Sequence, residues 1–211
     1  MTMKVLVLGA AGVTGRHIVE QGIARGHEIT AFVRDAAQSR TFPNQVHAIV
    51  GDALDQEAVE RGVAGEDAVV YALGSKKTGP TTLFSDSTRL MIQAMEKQKV
   101  KRLVCITGVG TAETRGHGGF VYDRIIFPLF TKKVYEDKDR QESLIRSSSL
   151  DWIIVRPATF RDGAAQGQLL AFTDLEGVTL RRIARREVAT FVLDQLDSNQ
   201  YLRKTPFIGH K

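Results

Sequence analysis

The feature that most constrains this chain is residues 4–16, KVLVLGAAGVTGR, where an unbroken apolar run ends in three glycines spaced by two residues. Val5, Leu6, Val7 and Leu8 do not alternate with polar residues, which suits a parallel strand covered on both faces. Gly9 permits a sharp exit, Gly12 lets backbone approach an anion that a Cβ would push away, and Gly15 lets the next helix pack close to the strand. That helix, with Ile18, Val19 and Ile23 on one face, aims free amides and the positive end of its dipole at the anion. Glycine triplets also serve purely structural turns. Here the triplet lies between a first strand and a second apolar strand, residues 28–33, and that context makes it a nucleotide site. Its pyrophosphate is expected over Gly9, Ala11, Gly12, Val13, Thr14 and Gly15.

The rest of the chain repeats the pattern. Strands are expected at 46–50, 67–73, 103–107 and 152–155, with helices at 81–97 and 134–147. Leu83, Leu90, Met91, Ala94 and Met95 form the buried stripe of the first of these helices. Arg156-Pro157 is expected to end the last strand, because proline cannot continue a central ladder. Alternating strands and helices mean an α/β protein with a doubly wound parallel sheet. Residues 108–131 break the alternation with glycines and then Phe120, Tyr122, Ile125, Ile126, Phe127, Leu129 and Phe130. They are either an inserted piece packed on the core or a lid or subunit contact.

Composition removes several classes of function. The 211 residues, 43% hydrophobic and 25% charged, show no linker or composition shift, so one domain over 1–211 is expected. No apolar run approaches the roughly 18 residues of a membrane span. The start runs straight into a strand without a leader, and a single Cys105 makes no disulfide framework, so the expected compartment is the cytoplasm. The balance of 29 Lys plus Arg against 24 Asp plus Glu, a net +5, suits a polyphosphate ligand but is modest for nucleic-acid binding. Arg181, Arg182, Arg185 and Arg186 read as a solvated face. The histidines lack metal-site spacing and there is no GxSxG, so no metal and no serine nucleophile are expected.

The residue that ends the second strand discriminates between dinucleotides. A carboxylate there holds the ribose hydroxyls of NAD, whereas an arginine accommodates a 2′-phosphate. Here the end reads Phe32-Val33-Arg34-Asp35. Arg34 stands where a guanidinium can fork onto a phosphate, with Arg16 or Arg40 able to share the role, and Asp35 turns to cap the next segment. NADP is favoured, with NAD possible. Asp52, before Ala53, either accepts from the adenine amino group or caps the helix beginning near Leu54. Leu73, Gly74 and Ser75 bring small residues to the point where strand order reverses; Lys76 and Lys77 beside them are either solvated or reach a phosphate.

The segments GAAGVTG, FVRD, VGDALD, LGSKKTGPTT and KDRQESLIRSSSLDWIIVRP together resemble the atypical short-chain dehydrogenase/reductase superfamily, over residues 9–209. Within it the chain is most similar to the NmrA-like proteins and the small biliverdin-IXβ/flavin reductases. The resemblance implies a Rossmann-type domain with NAD(P) across the carboxyl ends of the strands. Besides the residues above, Thr107, Lys138 and Pro157 would line it. A small substrate-side region would come from 108–131 and 158–180.

The chain departs from that family where its chemistry sits. Typical members carry a Tyr and, four residues later, a Lys on one helix face, so that the lysine lowers the phenol's pKa. Aligned on Lys138 and Glu142, the tyrosine place holds Val134, while Tyr135 is three residues before the lysine. Thr107 and then Gly108 stand where the family has its serine. Two functions compete. One is NADPH-dependent reduction of a small planar acceptor, a flavin or quinone, which needs proximity and a solvent proton rather than a triad. The other is a non-catalytic dinucleotide sensor acting through a protein partner, the chain being a monomer or homodimer in either case. For the reductase, Thr107 is expected to donate toward the acceptor and Lys138 to position the nicotinamide ribose. The alternative for Lys138 is a solvated ion-pair face with Glu136, Asp137, Asp139 and Glu142. Tyr135 joins them without having to supply a proton. Tyr122 and His117 are lesser candidates, and Cys105 is expected to be a buried, inert thiol.

Overall fold

Parallel pairing of apolar strands builds the centre of the molecule. The computed structural model describes residues 2–75, 79–117, 119, 124–125, 132–163 and 167–211. β1 (Lys4–Leu8), α1 (Val13–Ala24), β2 (Glu28–Val33), α2 (Ala36–Ser39), β3 (His47–Val50), α3 (Gln56–Val63) and β4 (Ala68–Tyr71) form the first half. α4 (Leu83–Gln98), β5 (Arg102–Ile106), α5 (Lys132–Ser147) and β6 (Asp151–Pro157) continue the alternation. β7 (Phe160–Arg161), β8 (Leu170–Phe172), β9 (Ile183–Ala184), α6 (Arg185–Asp194) and β10 (Phe207–Gly209) complete it.

The main sheet has the order β3-β2-β1-β4-β5-β6-β10-β8. Its pairs are parallel except that β8 runs against β10. The doubly wound α/β expectation therefore holds. Strand order reverses between β1 and β4, which opens the crevice where such sheets take ligands. β1 and β4 are buried on both faces, as unbroken apolar runs require. One core layer joins Ile18 and Val19 of α1 to Val188 and Val192 of α6. The other gathers Met91 and Met95 of α4, Val59 of α3 and Ile145 of α5.

Two of the boundaries that differ from expectation bear on the crevice. β4 stops at Tyr71, leaving residues 72–75 as the loop at the crevice. β6 runs through Pro157 instead of ending before it, because β5 has already ended at Ile106 and nothing there needs the missing N–H. The Pro157 carbonyl still accepts from Val109, and Pro157 pairs in register with Ile208. Among the described residues no helix is long and apolar enough to cross a membrane.

Candidate functional site: a glycine cradle and a buried lysine

The crevice begins with backbone packed too closely for side chains. Gly9 has φ +82°, and a Cβ on it would lie 2.6 Å from the Ala72 carbonyl oxygen, so the end of β1 touches the loop after β4. A Cβ on Gly15 would lie 2.1 Å from the Gly9 oxygen, which is why α1 can start directly over β1. Gly12 is the N-cap of α1 in extended backbone, with no side-chain cap and no acidic residue in the first turn. An uncapped helix start without a carboxylate, above a loop that excludes Cβ atoms, fits a pyrophosphate. Ala11 and Thr14 are half-buried beside it, and Val13 is 64% exposed at its lip.

Past β2 and β3 the expected residues sort themselves by partner. Arg34 is exposed, and its backbone N–H donates to Gln38 Oε1 at 3.2 Å, which leaves the guanidinium directed by nothing among the described residues. Asp35 caps α2, accepting from the Gln38 amide at 2.8 Å, as expected. Asp52 is not the cap of α3. Asp55 takes that place, while Asp52 closes a local turn onto the Leu54 amide at 2.9 Å. The helix starts two residues later than expected, so the cap moved with it, and Asp52 stays exposed beside buried Ala53. Leu73, Gly74 and Ser75 line the crevice edge next to Gly9, and Lys76 lies outside the described residues.

Around the end of β5 the structure engages the expected Thr107 donor and removes the solvated alternative for Lys138. Thr107 is buried, and its hydroxyl donates to Glu142 Oε1 at 2.7 Å, so its single proton is spent inside the protein and not offered to an acceptor. Glu142 is itself buried and clamped by Arg156, with Nε donating at 3.1 Å and Nη2 at 2.6 Å. Arg156 also meets Glu113 at 2.7 Å. Burial alone would push the Glu113 carboxyl up, yet Arg156 and Arg146 hold it down at about 2. Lys138 is likewise not on a solvated face. It is 7% exposed, and its ammonium lies 4.2 Å from the centre of the Phe84 ring. Among the described residues it makes no hydrogen bond and no ion pair, and burial lowers its pKa.

Its expected partner Asp137 is fully buried and committed elsewhere. It accepts from the Phe84 amide at 2.8 Å and the Ser85 hydroxyl at 2.5 Å, capping α4 from across the molecule. One turn from Lys138, the Tyr135 hydroxyl sits 3.0 Å from where a Cβ on Gly108 would stand. Gly108, at φ +148°, therefore leaves the space that the phenol fills. Thr107, Tyr135 and Lys138 thus gather where β5 meets α5, with Pro157 buried on the neighbouring strand.

Glu142, Arg156 and Asp137 were not singled out as parts of the site from sequence. A signal existed: Asp137, Lys138, Gln141 and Glu142 occupy the same helical stripe as buried Ile145, so charged residues stand where a core face was due. Cys105 is buried and its thiol is pushed up to about 12, an inert group as expected. His117 is turned to the Val178 carbonyl at 2.6 Å. Tyr122 and most of the aromatic stretch 120–131 lie outside the described residues. Among the described residues no group of three or more His, Cys, Asp or Glu could hold a metal ion.

Known proteins resemble this chain in sequence and in fold. A 3-diazoavenalumate denitrifying reductase from Streptomyces is 31% identical over 191 residues, which are 85% of this chain but only 55% of that protein. The UPF0659 protein YMR090W of Saccharomyces cerevisiae is 30% identical over 215 residues, covering 96% and 91% of the two chains. Among solved structures, the anaerobillin reductase ChuY of Escherichia coli O157:H7 superposes with a TM-score of 0.83 at 21% identity, over 98% and 97% of the chains. A short-chain dehydrogenase/reductase from Veillonella parvula in complex with NADP gives 0.82 at 15% identity, over 100% and 95%. These two likenesses concern the fold. A model of the family described as NAD(P)H-binding matches residues 9–199, from the first glycine of the cradle to the turn after α6, and this chain belongs to that NAD(P)H-binding Rossmann family.

Proposed function

We propose that the chain is an NADPH-dependent reductase that passes hydride to a small planar acceptor of the flavin or quinone class. The observation that carries this reading is Lys138, buried and without an ion pair among the described residues, one helical turn from a phenol and beside the end of β5. Such a charge destabilises the fold, and clefts that hold one are functional candidates. The bound dinucleotide supplies the hydride. The residues of the chain bind and orient. The cradle from Gly9 to Gly15 and the start of α1 hold the pyrophosphate, and Arg34 forks onto the 2′-phosphate. Asp52 and Ala53 border the adenine, with Leu73, Gly74 and Ser75 along the crevice. Lys138 donates to the nicotinamide ribose, while Thr107 and Pro157 wall the ring's side.

Tyr135 flanks the acceptor, and its ring packs the floor without having to deliver a proton. Support comes from the family's NAD(P)H binding, from the reductase among the relatives and from the Thr107 hydroxyl, which is engaged by Glu142 rather than turned to an acceptor. That same Thr107 to Glu142 bond also favours the second reading, a dinucleotide sensor without catalysis. NADPH oxidation scanned against flavins, quinones and carbonyl compounds separates them. Saturable turnover with a flavin or quinone is expected. Preference for simple ketones would overturn the acceptor class, and no turnover with any acceptor would leave the sensor.

A further inference from the structure

The loop that leaves β5, residues 107–117, keeps a shape that one of its residues resists. Gly108 at φ +148°, Gly110 at +108° and Ala112 at +39° all hold positive φ. Glycine takes such values freely, whereas alanine is strained there. Within the loop two fully buried threonines close the turns. The Thr111 hydroxyl donates to the Gly108 carbonyl at 2.8 Å, and the Thr114 hydroxyl donates to the Thr111 carbonyl at 2.6 Å while accepting from the Gly110 amide at 2.9 Å. From outside, α5 grips the strained residue itself. Asp139 Oδ1 accepts from the Ala112 amide at 2.9 Å, and Oδ2 pairs with Arg115. Glu113 is held by Arg156 at 2.7 Å and Arg146 at 3.2 Å. His117 then meets the Val178 carbonyl, so the loop bridges from α5 to the segment between β8 and β9.

We propose that Asp139 is a positioning residue for the acceptor: by gripping Ala112 it fixes the path of residues 108–117 and with it the wall that this loop and Tyr135 give to the crevice. The proposal rests on the reductase reading above. The Tyr135 hydroxyl fills the place that a Cβ on Gly108 would take, so a shift at the start of the loop moves backbone against the phenol. Tyr135 and Asp139 stand four residues apart on α5, on one helical face, so one helix carries both the phenol and the carboxylate that aims the loop at it. Without that carboxylate the strain at Ala112 has a way to relax, and a displacement of about 1 Å beside reacting groups is costly.

Isothermal titration with FMN and with menadione in the presence of NADP⁺, steady-state rates with NADPH, and hydrogen exchange of the ligand-free chain test the assignment. Asp139→Ala should weaken acceptor binding and raise the acceptor KM about tenfold, leave NADPH affinity unchanged and quicken exchange over residues 110–117. Asp139→Asn, whose side-chain oxygen still accepts from the Ala112 amide, should stay within about threefold of wild type. Ala112→Gly removes the strain, so adding it to Asp139→Ala should restore part of the acceptor affinity, which a general loss of stability would not allow. Equal acceptor affinity for wild type and Asp139→Ala, a parallel loss of NADPH affinity, or no restoration by Ala112→Gly overturns the proposal. So does a wild-type chain that binds neither acceptor. If Asp139→Ala does not fold, Glu113→Gln at the second anchor must weaken acceptor binding at unchanged NADPH affinity, and an unchanged acceptor affinity overturns the proposal. Acceptor binding without turnover that still weakens in Asp139→Ala removes the reductase reading and leaves the positioning role standing.

Discussion

Arg34 is where a single side chain separates the two dinucleotides. Its guanidinium has no competing partner among the described residues, so Arg34→Ala should remove one charge-assisted contact of about 1.5–3 kcal/mol from NADPH binding and little from NADH binding. A titration showing equal losses for both would sink the 2′-phosphate role. Lys138→Ala should weaken NADPH binding and lower turnover modestly, whereas Tyr135→Phe should do little. A fall in kcat of about a thousandfold for Tyr135→Phe, at unchanged NADPH affinity, would restore a tyrosine acid. Glu66 makes stability depend on pH. Its folded value of about 7 exceeds the ordinary 4.5, so the fold favours the protonated carboxyl. Below the ordinary value both folded and unfolded chains are protonated, and no penalty exists. As pH rises from about 4.5 through about 7 the unfolded chain gains by ionising first, and the fold loses stability. Urea midpoints should therefore show Glu66→Gln gaining on wild type between pH 5 and pH 8; a constant difference would refute the coupling.

At the scale of elements, α5 organises the site by reaching out of its own helix. Asp137 caps α4, whose own N-cap residue Thr82 makes no side-chain cap bond, and Glu142 ties the end of β5 to β6 through Thr107 and Arg156. Lys138 lies between these two anchors, so its ammonium is fixed by buried neighbours rather than by solvent. Asp137→Ala should cost about 1–2 kcal/mol for the lost cap on the Phe84 amide. Hydrogen exchange should then quicken in the first turn of α4 while α1 is unaffected. Unchanged protection at Phe84 would show that the cap contributes nothing.

For the whole molecule, the proposed dinucleotide site would span both halves of the sheet, from the cradle after β1 to the cluster where β5 meets α5. A ligand that binds only the folded chain stabilises it by mass action, about 2.7 kcal/mol at roughly a hundred times its Kd. Denaturant unfolding with saturating NADPH should show a rise of that order, larger than with NADH. No rise with either would contradict the fit of the cradle to a pyrophosphate.

Much of this was legible in the chain because the signals are local. Unbroken apolar strands, the glycine spacing and the Arg34-Asp35 pair depend on neighbours within a few residues, so the doubly wound sheet, the cradle and the Asp35 cap could be read directly. Tertiary structure alone decided what long-range partners do. Thr107 read as a donor until Glu142, 35 residues away, took its proton. The alternative of a solvated ion-pair face for Lys138 rested on the four acids near it in sequence, yet Asp137 is drawn off to α4 and Glu142 to Arg156. Helical periodicity assigns a face but not the element that will cover it. In a low-dielectric interior, the covering element determines whether a charge is paired, spent or held for a ligand.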